Sequence, residues 1–278
     1  MQRDAAVVDP QGEMPVVHLV ARLRAPHRDL GQFEQAQWMW RRIEGLFPGL
    51  IAAVLMPNHP HVLAEVEEPD EARGRLARTC GHLQRRLGVQ GLLEPLPPPQ
   101  VVEPDKVARV ARYVELNPCR AGLVMHPAQW LWSTLRDVAG ATVEPAVDLQ
   151  QHRRHTKRRR DRWLEYVGRD DRVPDRRALM APVPGGCGRA AFGVEQVCQA
   201  VLAATRSRPD ALRQRGPVRR LFIAAALDQG ITSTASLADV CGCTPRAVRR
   251  ARDRRLRVAT LLPVRRCLAD ARLLAPAR

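Results

Sequence analysis

The chain has 278 residues, 45% of them hydrophobic and 4% aromatic, with 45 Lys+Arg against 29 Asp+Glu. That length suits two ordinary domains or one large one, each with a real core. No stretch approaches 18 apolar residues, and the opening "MQRDAAVVDPQGEMP" lacks a basic flank followed by an apolar run, so neither a membrane span nor a secretory leader is expected. The seven cysteines are scattered, and Cys241 and Cys243 alone are close, in a C-x-C that is poor zinc spacing. Free thiols in a reducing cytoplasm are the expectation. The net charge of +16 is unevenly divided. Residues 1–150 hold 16 Lys+Arg against 18 Asp+Glu, a balance of −2, and residues 151–278 hold 29 against 11, a balance of +18. A basic half joined to a neutral one points to a module that grips a polyanion, nucleic acid first among them.

In chain order, "VVHLVARLR" (Val16–Arg24) alternates like a half-buried strand. Leu30 to Phe47 reads as a helix, with Phe33, Ala36, Trp40, Ile43 and Leu46 near one face, ending at Pro48-Gly49. Ile51–Met56 and Pro60–Val66 read as strands joined by a Pro57-Asn58 turn. Asp70 starts a helix that runs to about Leu87, and a short strand is expected at Gln100–Val102. Asp105 is expected to cap a helix that ends near Asn117, because Pro118 disfavours helical geometry in the residue before it. The order β-α-β-β-α-β-α predicts an α+β fold, one mainly antiparallel sheet with helices on one face.

From about Val143 the texture changes. "QQHRRHTKRRRDR" is a charge run, either a solvated helix face or an arm that grips a backbone, and "APVPGGCGR" (Ala181–Arg189) has the composition of a flexible linker. Beyond it the chain reads as helical, broken at Pro209, Pro217, Gly230, Gly242 and Pro263. Three segments result: 1–143, 144–188 as basic arm and linker, and 189–278 as a helical DNA-binding domain.

The chemistry is concentrated in "VLMPNHPHVLAEV" (Val54–Val66). In a strand, residues i and i+2 project from one face, so His59 and His61 point together, as a polar patch or as two ligands of a divalent metal. A metal needs a further ligand. "RYVELNPCRAGLV" offers Asn117 one helical turn from Tyr113, so an amide oxygen and a phenol share a helix face. On residues alone, packing of that tyrosine remains open.

"VLMPNHPHVL", followed about fifty residues later by "ARYVELNPCRAGLVMHPAQWLWST", resembles the REP-associated tyrosine transposases, within the insertion-sequence-200-like, single-tyrosine HUH transposases. The resemblance covers roughly residues 15–140. It implies a ferredoxin-like (RNA-recognition-motif-like) sheet, His59 and His61 as metal ligands, Tyr113 as nucleophile, and Asn117 as the third polar group near the metal. Tyr113 would then attack a DNA phosphate, leaving a 5′-phosphotyrosyl link and a free 3′-OH. A His-His-amide set would take Mn²⁺ at least as well as Mg²⁺. The family pattern has a bulky hydrophobic residue between the histidines where this chain has Pro60, and proline sits best at a strand edge or bulge. His18 and His82 read as surface or core-rim histidines, and Trp130 and Trp132 as packing at the end of the first domain. Arg112 and Arg120 flank the tyrosine and are either phosphate contacts or ordinary solvated arginines.

In the second half, "STASLADVCGCTPRAVRRARDRR" reads as a helix-turn-helix. Ser236 is expected to cap the first helix, Gly242 to make the turn, and Thr244 to cap the second with Pro245 at its first position. Val248 and Ala251 would face the core, with Arg246, Arg249, Arg250 and Arg252 outward for a major groove and Asp253 as the acidic interruption. Residues Phe192–Arg252 also resemble the C-terminal DNA-binding domain of the bacterial chromosomal replication initiator, although "CTPRAVRRA" stands where that family's Asp-His signature would be. The expected function is a metal-dependent single-stranded DNA endonuclease and strand transferase, monomer or homodimer, acting on single-stranded or hairpin DNA and docking on duplex through its C-terminal domain. The competing expectation is a domesticated DNA-binding regulator with a silent catalytic fold, and an RNA-binding module ranks third.

Overall fold

The structure, a computed structural model, describes residues 14–177, 179, 192–252 and 256–274. Along the chain these form β1 (Val16–Val20), α1 (Phe33–Leu46), β2 (Leu50–Met56), β3 (His59–Glu65), α2 (Pro69–Leu87), β4 (Gln100–Val102) and α3 (Val107–Arg120). There follow α4 (Leu135–Val138), α5 (Leu149–Thr156), α6 (Arg160–Gly168), α7 (Val194–Thr205), α8 (Asp210–Arg213) and α9 (Pro217–Asp228). The last three are α10 (Thr234–Cys241), α11 (Pro245–Arg252) and α12 (Val258–Ala269). No helix among the described residues is long and apolar enough to cross a membrane. The expected linker Ala181–Arg189, with Cys187, and the acidic Asp253 lie outside the described residues.

Contacts divide the chain into two compact units, residues 1–117 with 146–159, and residues 118–145 with 160–278. This division differs from boundaries drawn at 143 and 188. The segment 118–145, with Trp130 and Trp132, groups with the second unit, and the expected basic arm is shared between the two.

The first unit is a four-stranded sheet in the order β2-β3-β1-β4 with every neighbouring pair antiparallel, the α+β ferredoxin-like arrangement. Its core is Val17, Leu19, Ile51, Val54, Leu55, Val62 and Leu63, with Met39, Trp40 and Ile43 from α1 and Leu76 and Leu83 from α2. The β2–β3 hairpin depends on Gly49, whose carbonyl accepts from Glu65 N at 2.9 Å. A Cβ on Gly49 would stand 2.3 Å from Glu65 O, so the close approach excludes any side chain there. The charge run begins as α5, capped by Asp148, whose carboxylate accepts from Gln150 N at 2.7 Å. Half-buried Glu65 anchors α5 by accepting from Gln151 Nε2 at 3.1 Å and from Arg154 and by meeting His155. Part of the expected arm is therefore a docked helix.

Three expected boundaries are corrected. Helix α3 does not stop at Asn117; it runs to Arg120 with Pro118 inside it. Proline removes a donor from the ladder, and the Asn117 side chain supplies a replacement, donating from Nδ2 to Tyr113 O at 3.0 Å and Val114 O at 3.3 Å. Asp105 lies in a 3₁₀ turn, Pro104–Lys106, that leads into α3, and does not cap it. Pro263 does not break its segment but sits inside α12, at a cost of about 3 kcal/mol that burial of Leu261, Val264 and Leu268 offsets, at about 2 kcal/mol each.

The second unit buries charge. Arg136, fully buried, donates to Ala128 O at 2.8 Å and Leu273 O at 2.9 Å, and its burial lowers its pKa. Arg206 sits at the C-cap of α7 with φ 47°, a left-handed conformation that usually selects glycine. The arginine is kept there by its guanidinium, which donates to Asp137 Oδ1 at 2.7 Å and to Ser133 O and Leu131 O at 3.2 Å. Thr142 Oγ1 donates to the same carboxylate at 2.8 Å. Exposed pairs such as Arg169–Glu165 are screened by solvent and contribute little, whereas stranding one member of a buried pair costs about 3–5 kcal/mol. Asp137→Ala is expected to lower this unit's free energy of unfolding by an amount in that larger range, and its denaturant midpoint with it, while Glu165→Ala leaves both nearly unchanged. Urea titration followed by circular dichroism measures both.

Candidate functional site

The histidine pair sits at the start of β3, an interior strand. His61 stands opposite Val20 of β1 and Val54 of β2, and His59 opposite Met56 at the Pro57-Asn58 turn. The two imidazoles share a face as alternation requires, ring centroids 4.8 Å apart. Pro60 between them is at neither a sheet edge nor a bulge; the register shift in the hairpin falls between Leu50 and Ala52. Pro60 O still accepts from Ala21 N at 3.4 Å, so the missing N–H removes one bond of the β1–β3 ladder without parting the rings.

Register brings in a third imidazole. His18 of β1 lies on the same face, edge to edge with His61, centroids 5.3 Å apart and planes 7° from parallel. Tyr113 of α3 presents its ring edge-on to both, 5.9 Å from His61 and 6.2 Å from His18, and is 40% exposed. An exposed phenol beside one buried and two half-buried imidazoles can reach a large external substrate.

The hydrogen bonds fix the tautomers. Gln100 Oε1 can only accept, so His18 donates to it from Nδ1 across a long 3.4 Å. His18 Nε2 is then an acceptor, and His61 Nδ1–H donates to it at 3.1 Å. His59 Nδ1 similarly donates to Asn58 Oδ1 at 2.7 Å. Both rings are thereby held by Nδ1–H with the lone pair on Nε2, the state a metal ligand requires. His61 Nε2 is buried with no hydrogen-bond partner, and such an orphaned atom asks for an explanation of the kind an ion supplies. The charge state agrees. Burial, then the neighbouring charges of His18, His59 and Arg22, pushes His61 down to about 2, and burial with Arg22 takes His59 to about 4.

Sequence reasoning missed His18 and Arg22. The strand order that puts β1 beside β3 was the signal for His18, and only structure supplies it. Arg22 is exposed, two residues beyond β1, and its charge reaches both ligand candidates, a useful place for a cation facing phosphate. Asn117 is half-buried and both its described hydrogen bonds stay within α3, through Nδ2, which leaves Oδ1 as its ligating atom. Arg112 is half-buried beside Tyr113; Arg120 is exposed and belongs to the second unit. Among the described residues no group of three or more His, Cys, Asp or Glu is arranged to hold a metal, so oxygen donors of another kind would have to complete the two imidazoles.

In the second unit, α10 and α11 form the expected pair of short helices around Gly242, which has φ 55°. The cap of α10 is Ser233, not Ser236: its hydroxyl accepts from Ser236 N at 3.3 Å, one turn earlier than expected. Thr244 Oγ1 accepts from Ala247 N at 3.3 Å at the head of α11. Val248 is buried, Ala251 half-buried, and Arg246, Arg249, Arg250 and Arg252 are all exposed.

No family model and no curated protein matches the chain. Among solved structures it is similar to a REP-associated tyrosine transposase bound to a REP hairpin, with 17% identity and a TM-score of 0.39, over 50% of this chain and 86% of that one. A likeness of that degree does not establish shared chemistry.

The tautomer chain is directly observable. Nitrogen-15 NMR at neutral pH is expected to show His59 and His61 as Nδ1–H imidazoles. Replacing His18 with Leu should shift His61 toward a tautomer mixture and leave His59 unchanged; an Nε2–H signal from His61 in the parent protein contradicts the assignment.

Proposed function

We propose that the chain is a metal-dependent single-stranded DNA endonuclease and strand transferase acting through Tyr113. The observation that carries this reading is two tautomer-locked imidazoles with bare Nε2 atoms, one orphaned, beside an exposed tyrosine. The His59 and His61 Nε2 atoms, with Asn117 Oδ1, would hold Mg²⁺ or Mn²⁺. Such a cation supplies charge neutralisation on the phosphate oxygens. Arg22 and Arg112 would grip the strand through its phosphates, and Tyr113 Oη would form the new O–P bond while the bond to the 3′ oxygen breaks. The phenol gives up its proton as the bond forms, and the 3′ oxygen ends as a hydroxyl. Reversal by a 3′-OH rejoins strands.

The outward arginines of α11 would dock on duplex DNA or a hairpin stem and select the site. Family membership, a cytoplasmic setting and a monomeric or dimeric state belong to the same reading. A second reading, a DNA-binding regulator that does not cleave, is favoured by Asn117, whose amide already serves its own helix, and by Pro60 in an interior strand.

Incubating the chain with hairpin-bearing single-stranded DNA and Mn²⁺ is expected to give a covalent adduct, visible on a denaturing gel, that Tyr113→Phe and chelation each abolish. Duplex binding with no adduct in any divalent metal selects the regulator. Replacing Arg249 and Arg250 with Gln is expected to reduce the salt slope of duplex binding by about two and leave adduct formation on short single strands intact.

A further inference from the structure

Helices α1 and α2 pack against each other, and between them runs a groove of about 730 Å³ that the site above does not use. Arg41, Arg42, Arg75, Arg78 and Arg86 line it together with Trp38 and His82, and Glu34 is its one lining carboxylate. On α2 the positions 75, 78, 82 and 86 recur every three or four residues, and on α1 the positions 38, 41, 42 and 45 do the same. Two stripes thus face each other across the groove. Only 16 Lys+Arg occur in residues 1–150, outnumbered by 18 Asp+Glu, so five of them in one groove is not a consequence of general basicity.

The groove's charge is largely unspent. Arg75 pairs with Glu71 at 2.8 Å, and Arg86 donates to Gln35 Oε1 at 3.2 Å. Arg41 and Arg78 are exposed, with no hydrogen bond or ion pair among the described residues. Like charges set face to face destabilise a helix pair unless an anion lies between them. Arg42 rests over half-buried Trp38, 5.4 Å from the ring centroid, which builds a flat platform of indole and guanidinium. Gly45, in the last turn of α1, also lines the groove, and a Cβ there would meet nothing within 4 Å. The chain's own packing does not require that space to be empty.

We propose that this groove binds a single-stranded nucleic-acid segment, with Arg41 and Arg78 on successive phosphates and a base against Trp38. The groove is a furrow along the seam of two helices in contact, where one flat aromatic face, Trp38, is offered beside the guanidiniums. Stacking on an aromatic ring within a basic track is how single strands are held without regard to sequence. The site is separate from Tyr113 and the histidines, and strand binding there does not require that Tyr113 cleave.

The test is fluorescence anisotropy of the full chain with a 20-nucleotide single strand across a salt series, in chelator so that no covalent chemistry intervenes. Arg41→Gln with Arg78→Gln is expected to lower the salt slope by about 1.4 and to weaken binding roughly ten- to thirtyfold at 100 mM salt. Arg73→Gln with Arg85→Gln removes the same charge from α2 outside the groove, and is expected to leave the slope within error of the parent. Trp38→Leu should weaken binding with the slope unchanged. Equal losses from the two double variants mean bulk charge only and overturn the proposal. Unchanged strand binding by the Arg41, Arg78 variant, or a loss confined to duplex DNA, overturns it as well. Because the readout is reversible binding, failure of the parent to form an adduct tests the proposed reaction and leaves this result standing.

Discussion

The pairing of β1 with β3 determines what the histidine strand can do. Because β3 is interior, both of its edges are bonded, and the only freedom left to His59 and His61 is which partners their Nδ1 atoms find. Register supplies one of them. Val20 opposite His61 puts His18 on the diagonal of the same face, close enough for a 3.1 Å hydrogen bond between near-parallel rings. A one-residue slip of β1 would move His18 to the other face and release His61. The Pro57-Asn58 turn supplies the other partner, since the turn amide reaches back to His59. A metal-ready pair of lone pairs thus follows from backbone register and one turn residue.

Most elements were legible because their signals are simple: alternation in β1, the Pro57-Asn58 turn between the runs of β2 and β3, a 3.6-residue stripe in α1, and Gly242 between two short helices. What was not legible depends on long-range pairing or on side chains that substitute for backbone. His18 reads as a rim histidine until the strand order is known. Pro118 reads as a stop signal, which is sound for the backbone alone; the exception arises because the Asn117 amide donates to Val114 O, the carbonyl that the proline leaves unserved. The charge run around 150–160 reads as one unit, yet Glu65, far away in sequence, captures its first turns as a docked helix.

Net charge proved a coarse guide for the same reason. The +18 half does not offer all of its arginines to a partner: Arg206 is buried against Asp137, Arg265 pairs with Asp228, and Arg272 pairs with Asp270. Those on α11 are outward and available. In the −2 half the opposite holds, since carboxylates elsewhere conceal a strongly basic groove between α1 and α2. Placement on an exposed helix face, more than the sum over a segment, decides which cations meet a polyanion.

The low basicity of the histidines separates two roles that their position alone leaves open. A ring beside a tyrosine could accept the phenolic proton or ligate a cation. A general base works best with a pKa near the operating pH, and rings held at about 4 and about 2 fall well below neutrality. Burial penalises the charged imidazolium, and so it disfavours proton uptake while leaving the neutral lone pair intact. Coordination needs only that lone pair, aimed and free of a proton, which the Nδ1 hydrogen bonds provide. The same desolvation that makes these histidines poor bases therefore suits them as ligands, and in the proposed reaction the proton of Tyr113 would leave by another route, toward solvent on its exposed side.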